Sequence, residues 1–286
     1  MRNSIIEKSL SLELLAKTHG HKFDYGHLLV LSGDAGKTGA ARLAARGGLR
    51  IGAGVVTIAA PPDACPEIAA QITAVMLRPF ADQIALAQVL EDQRINAVAI
   101  GPGLGVSAEK AALVRAVLDA RRRTVLDADA LTLIAQDGAL SERLHDDCVL
   151  TPHNGEFARL FPDLSLQNAD AASDEKDRAD TLGVAARRAG CTVLQKGANT
   201  IIAAPGGEVA VHRAEGLTAA PWLATAGSGD VLTGFIGGLL ARGADPFEAA
   251  SNAAWLHAAC ARQFGPGLIA EDLPEQLPSV LHRLLG

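Results

Sequence analysis

Five short apolar runs within the first 150 residues leave this chain few folds to adopt: His27–Leu31, Gly54–Ile58, Ala97–Ile100, Thr124–Leu126 and Cys148–Leu150. Each is continuous instead of alternating with polar residues, the pattern of a strand buried on both faces. Between them lie alanine-rich stretches of helical length, including Ala40–Arg50, Asp82–Asp92 and Ala108–Ala120. Strand and helix in alternation predict an α/β fold with a mostly parallel central sheet covered by helices on both faces. Further on, Thr192–Leu194, Thr200–Ala203 and Val209–His212 flank the turn Pro205-Gly206-Gly207, which predicts antiparallel pairing at one edge. Helices are expected over Asp230–Arg242, Pro246–Phe264 and Leu277–Leu284, with a surface helix starting within Asn168–Asp180.

At 286 residues and 49% hydrophobic content the chain suits one domain of this class, and it holds no internal repeat. Residues 1–20 read as a lead-in with a short amphipathic helix around Leu10–Leu15, and residues 21–286 as the single domain. The net charge of −6 is spread out, and the basic residues are scattered apart from Arg121-Arg122-Arg123, read as a solvated helix C-terminus. No electrostatic footprint for nucleic acid follows from that pattern. No apolar run approaches the ~20 residues that span a bilayer. The four cysteines lie far apart without metal-ligand spacing, and no secretory segment precedes them, so reduced thiols and a cytoplasmic location are expected.

Open parallel sheets bind ligands beyond the carboxyl ends of their strands, so the residues just after each apolar run carry the functional expectation. Those residues are Ser32–Ala40, Gly101–Gly105, Asp127–Ala130, Thr151–Glu156 and Lys196–Thr200, and all would converge on one rim. The stretch Ala226-Gly-Ser-Gly-Asp-Val-Leu-Thr-Gly234 adds a glycine-broken turn that opens a helix. Gly227 and Gly229 let the backbone approach an anion, and the amides from Ala226 to Asp230 are expected to stay free, as at a phosphate-binding helix N-terminus. Asp230, in the first turn, is placed to accept the proton of a hydroxyl that attacks a bound phosphate chain.

Taken singly, the motifs are less specific. Gly33–Gly39 lacks the longer spacing of the Walker loop, and Gly101–Gly105 stops short of a dinucleotide fingerprint, which leaves a close-approach loop against a flat ligand. Asp127 and Asp129 suit a divalent metal or a ribose, and Asp129 equally suits the N-cap of a helix Ala130–Gln136. His153, after a strand and Pro152, reads as a ligand-facing histidine, and Lys196, at a strand end before Gly197, as a phosphate partner. His19, His21 and His257 read as structural or solvated.

In order along the chain, Gly101-Pro-Gly-Leu-Gly105, Leu126-Asp-Ala-Asp-Ala-Leu131, Leu150-Thr-Pro-His-Asn-Gly-Glu-Phe157, Lys196-Gly-Ala-Asn-Thr200 and the glycine turn resemble the ADP-dependent NAD(P)H-hydrate dehydratases. The resemblance runs from Tyr25 to Leu284 and takes in Ala253-Ala-Trp-Leu-His-Ala258 and Ala270-Glu-Asp-Leu-Pro274. It implies a ribokinase-like fold and repair of (6S)-NADHX and (6S)-NADPHX, the hydrated cofactors, at the expense of ADP, releasing AMP and phosphate. It further implies Asp230 as the base and Ala40, Gly103, His153 and Asp230 as the residues that bind the hydrate. The nucleotide side would be Lys196, Gly197, Ala198, Asn199 and Thr200 with Gly227, Ser228 and Gly229. Magnesium is expected, its ligands unassigned. A homo-oligomer, a tetramer by the resemblance, and a separate epimerase as functional partner are also implied.

The chain departs from the family's pattern in places. Asn154 stands where relatives commonly carry proline, and Thr218–Thr225 differs from the Asn-Pro approach many of them use. An epimerase domain of the kind that precedes this one in many relatives is not expected. A small-molecule kinase of the same fold, acting on a vitamin precursor alcohol with Asp230 in the same role, is the rival reading, and a nucleotide-sensing module a remoter one.

Overall fold

The computed structural model describes residues 5–6, 12–18, 20–167, 175–213 and 216–286. Its strands are β1 (Ile5–Ile6), β2 (His27–Leu31), β3 (Val55–Ala60), β4 (Met76–Pro79), β5 (Ala97–Ile100), β6 (Arg123–Leu126), β7 (Cys148–Leu150), β8 (Thr192–Gln195), β9 (Asn199–Ala203) and β10 (Val209–Arg213). They form one sheet in the order β1-β10-β9-β8-β7-β6-β5-β2-β3-β4. From β4 through β8 every neighbouring pair is parallel, whereas β9 is antiparallel to both β8 and β10. The mostly parallel sheet and its antiparallel edge are therefore as the apolar runs predict.

Helices cover both faces. On one side Gly39–Arg50, Ser228–Ala241, Pro246–Phe264 and Asp272–Leu285 enclose an apolar core around Leu28, Val56, Phe235 and Leu256. On the other, Gln83–Leu90, Ala108–Asp119, Asp129–Gln136 and Glu175–Ala189 pack around Leu29, Ile100, Leu118 and Leu126. Caps mark several starts: the Asp82 carboxylate accepts from the amides of Ile84 and Ala85, and Asp245 from Phe247, each at 2.9 Å.

Some boundaries differ from expectation. The final helix begins at Asp272 and not Leu277. Pro274 stands in its first turn, where its missing amide has no intrahelical partner, and Leu273, Leu277 and Val280 form a buried stripe that carries the helix past Pro278. β4 and β1 were not foreseen, because Met76–Pro79 is largely exposed and Ile5–Ile6 is two residues long. Of the lead-in helix, Leu12–Leu15 is described, and Leu10 and Ser11 lie outside the described residues. So do residues 168–174, and the surface helix expected there is described from Glu175. Arg122 is half-buried, donating to the Leu90 carbonyl at 3.2 Å, so the arginine triplet is not wholly solvated.

The chain leaves β2 toward β3 and β4, then returns to lay β5 on the other side of β2. That reversal opens a crevice at the carboxyl ends of β2 and β5, where a ligand site is expected. Close packing of two helices sets one wall of it. A Cβ on Gly234 would fall 2.1 Å from the Ala44 carbonyl oxygen, and one on Gly48 would fall 2.5 Å from Leu28 Cδ2. The helices Gly39–Arg50 and Ser228–Ala241 thus meet backbone to backbone. Gly234→Ala is expected to force them apart and to cost roughly 2–3 kcal/mol of stability, as overpacked cores do; urea unfolding measures it, and a loss below about 0.5 kcal/mol would disprove the close contact.

Candidate active site

The helix Ser228–Ala241 opens two residues before the expected Asp230, because Gly227 takes a left-handed φ of 85° and turns the chain into it. A side chain at Gly227 has no room, since a Cβ would lie 2.7 Å from Leu43 Cδ1. Beneath the turn, buried His257 donates from Nε2 to the Ser228 carbonyl at 2.8 Å, and Ser228 Oγ donates to the Leu223 carbonyl at 2.8 Å. Burial pushes the His257 imidazole down to about 4, so it is neutral and structural at physiological pH. Not all amides of the turn are free as expected: that of Ser228 reaches the Thr225 carbonyl at 3.4 Å, because the chain coils into the helix there. Among the described residues, the amides of Gly227, Gly229 and Asp230 meet no acceptor within the protein. A helix N-terminus left in this state attracts anions.

Asp230 is the titrating group beside that cradle. Burial, reinforced by the charge of Asp127, pushes its carboxyl up to about 6, and the Lys196 ammonium opposes the shift. Asp127 follows β6 and is 2% exposed. One of its oxygens accepts from Lys196 Nζ at 2.6 Å, and the other from Thr233 Oγ1 at 2.8 Å. Lys196, directly after β8, also lies 3.8 Å from Glu156 Oε2.

Glu156 and His153 interlock at the start of the helix Asn154–Leu160. The His153 amide donates to Glu156 Oε2 at 2.8 Å, while His153 Nδ1 accepts from the Gly155 amide at 2.9 Å. This is a capping box with histidine as the cap. It leaves the half-exposed His153 ring with Nε2 as its donor, 3.5 Å from Glu156 Oε1.

At the crevice, the loops after β2 and β5 touch. A Cβ on Gly33 would meet the Gly103 carbonyl at 1.9 Å, and one on Gly103 would lie 3.5 Å from Ala40 Cβ. Asp129 is not the cap of its helix: Ala128 holds that position at φ 49°, and the Asp129 carboxylate accepts from the Gly105 amide at 2.7 Å. The structure therefore gathers Asp230, Gly229, Lys196 and His153 around Asp127 and Glu156. Ala40 and Gly103 form a second wall, joined to the turn through Leu43. Gly197 and Ala198 continue into the β8–β9 turn, and Asn199 and Thr200 open β9. Thr233 and Glu156 were not singled out from sequence. Thr233 stands one helical turn after Asp230, and Glu156 three residues after its cap, so their spacings were the available signals.

A family profile described as NAD(P)H-hydrate dehydratase matches residues 28–282. The bifunctional NAD(P)H-hydrate repair enzyme Nnr of Moorella thermoacetica is 39% identical, the match covering 93% of this chain and 51% of that protein. The chain thus spans about half the length of such relatives. The ADP-dependent (S)-NAD(P)H-hydrate dehydratase of Xanthomonas campestris is 31% identical over 98% of this chain and 96% of its own length. Among solved structures, the ADP/ATP-dependent NAD(P)H-hydrate dehydratase of Bacillus subtilis, co-crystallised with ATP and Mg2+, superposes with a TM-score of 0.74 at 29% identity, covering 94% of this chain and 93% of that one. A ribokinase-like superfamily protein of Enterococcus faecalis shares the fold at a TM-score of 0.78 and 23% identity, over 96% and 95% of the two chains.

The Asp230 carboxyl is expected to titrate near pH 6 in carboxyl-resolved NMR, and Lys196→Met to move that midpoint upward by removing the one opposing charge. Because the fold raises this group from its ordinary 3.8, ionising it works against folding. Asp230→Asn should accordingly raise the Tm at pH 8, with the gain fading through about 6 and gone below pH 4. A midpoint below pH 4.5 in the unaltered protein would contradict the burial argument.

Proposed function

Because this chain belongs to the NAD(P)H-hydrate dehydratase family, we propose that it restores hydrated NADH and NADPH, (6S)-NADHX and (6S)-NADPHX, at the expense of ADP, releasing AMP and phosphate. The observation that carries the reading is Asp230, a carboxyl raised to about 6 beside helix N-terminal amides that have no acceptor within the protein. At neutral pH it is ionised yet basic enough to take a proton from a hydroxyl.

The hydrate carries a hydroxyl at C6 of its nicotinamide ring, and hydroxide is a poor leaving group. Asp230 removes the hydroxyl proton as the oxygen attacks the terminal phosphorus of ADP, and AMP departs. The amides of Gly227, Gly229 and Asp230 meet the charge that builds on the phosphoryl oxygens. The ring nitrogen's lone pair then expels phosphate from C6, and loss of the C5 proton restores the double bond. Lys196, through Thr200, and Gly227 to Gly229 form the nucleotide side. The Lys196 ammonium lies 3.7 Å from the place of a Cβ on Gly229, so it delivers positive charge beside the turn. Ala40, Gly103 and His153 hold the hydrate, His153 donating from Nε2.

The donors present suit magnesium. Asp127 and Glu156 are buried carboxylates already set around a cation, with Lys196 Nζ at 2.6 and 3.8 Å. They would hold the ion, whose chemistry is to neutralise charge on the phosphates. The setting we propose is one catalytic domain over residues 21–286, a homo-oligomer, a tetramer, in the cytoplasm, with a separate epimerase supplying the S hydrate. No described helix is long and apolar enough to cross a membrane, and the four cysteines are unpaired.

Coupling is the test of the reaction. Phosphate release should depend on the hydrate, equal NAD(P)H formation one for one, and run faster with ADP than with ATP at matched concentrations. Phosphorylated hydrate accumulating as the end product would turn the reading to a kinase. Asp230→Asn should lower turnover about 10²–10⁴-fold with nucleotide affinity retained, and the acid limb of kcat/KM should fall near pH 6.

His153→Ala is expected to raise KM for the hydrate by about tenfold while that for ADP holds steady, the loss of one positioning hydrogen bond. An equal rise for both substrates would remove His153 from the hydrate side.

A further inference from the structure

A groove of about 720 Å³ runs along the flank of the molecule between the helices Gly39–Arg50 and Asp272–Leu285 and residues 71–75. It begins at Gly39 and Leu43. Both border the active site: Ala40 adjoins Gly103, and Leu43 Cδ1 packs over Gly227. Arg42, Arg46 and Arg50 line the groove at four-residue spacing, so they share one helix face over about 12 Å of axis. A volume of this size accommodates a nucleotide and exceeds what a lone phosphate requires.

The guanidinium groups are oriented. Glu275 accepts from Arg46 Nε at 2.8 Å and from an Arg50 terminal nitrogen at 2.6 Å, fixing one edge of each side chain. Arg46 and Arg50 nevertheless remain 57% and 43% exposed. Arg42 has no ion-pair partner within 4 Å among the described residues, and its Nε is buried without an acceptor. Glu67 lies near it, but its carboxylate is engaged by Thr38 and by the Gly36 amide at 3.0 Å. Three arginines against Glu271 and Glu275 leave the lining cationic. With Nε packed inside, Arg42 has its terminal guanidinium nitrogens to offer the groove, and arginine matches phosphate in shape and charge.

We propose that this groove is the subsite for the adenylate half of the substrate, with Arg42 and Arg46 reading its phosphate charge. The inference rests on the proposed function: the substrate is a dinucleotide, and only its nicotinamide half meets Asp230. A second phosphate on the adenosine ribose adds the charge that the arginines complement, so the groove favours the NADP form over the NAD form.

Equilibrium binding of NADPH, NADH and reduced nicotinamide mononucleotide, followed by their fluorescence, tests this in the unaltered protein, Arg42→Ala and Arg46→Gln. Arg42→Ala breaks no ion pair and is the variant expected to keep the fold, with Tm as its control. NADPH should bind the unaltered protein more tightly than NADH, and each variant should lose about tenfold in NADPH affinity. The mononucleotide and ADP should bind the variants unchanged. Unchanged NADPH affinity, or an equal loss with the mononucleotide, would overturn the proposal. So would variants that alter only the molecular mass in solution, which would make the groove a subunit contact. The dehydratase assay of the unaltered protein stands apart: a chain that binds NADPH through these arginines yet returns no NADPH from the hydrate loses the proposed reaction and keeps the groove.

Discussion

The carboxylate of Asp127 holds the site together. Buried at the carboxyl end of β6, it binds Lys196 from the end of β8 and Thr233 from the helix that carries Asp230. A buried carboxylate without partners would be strongly destabilising, so the fold has to bring all three elements to one point before the charge is tolerable. That requirement fixes the rim more firmly than any apolar contact there, because apolar side chains can repack around a displaced neighbour and an ion pair at 2.6 Å cannot. Glu156 extends the arrangement by placing a further carboxylate 3.8 Å from the same ammonium.

The result is an alternation of charge that tunes Asp230. Asp127 and burial make its ionisation harder, and Lys196 makes it easier. The balance leaves a group that is unprotonated in a neutral cell but retains more proton affinity than a solvent-exposed aspartate. An anion placed near Lys196 would draw on the same ammonium, and its binding and the basicity of Asp230 would then be linked through one side chain. Withdrawing that positive charge from Asp230 would raise the carboxyl's affinity for a proton.

The layers of the fold were legible in the chain because buried parallel strands leave an unmistakable mark: His27–Leu31 and Cys148–Leu150 are observed where the apolar runs end and begin. The glycine turn was equally legible, since Gly227 and Asp230 act locally. What sequence left open was the role of Asp127, divided between a metal and a ribose. That role depends on residues 69 and 106 positions away, and no local pattern encodes such a convergence. Asp129 was misread as a possible cap for a related reason, because Ala128 adopts a backbone angle that its side chain does not favour. The arginines of the flank look like an ordinary solvated helix face until the final helix, whose start Pro274 and Pro278 disguise, is seen to close the groove.

The glycine contact between the helices Gly39–Arg50 and Ser228–Ala241 has a mechanical consequence. With the Ala44 carbonyl lying against Gly234, no flexible side chains intervene to act as a bearing. The helix that bears Ala40 and the helix that bears Asp230 are one rigid chassis, and neither slides to follow a substrate. The loop after β2 and the β8–β9 turn lie outside that contact and are not held by it. A change of length in either of those loops therefore leaves undisturbed the frame that sets Ala40 against Asp230.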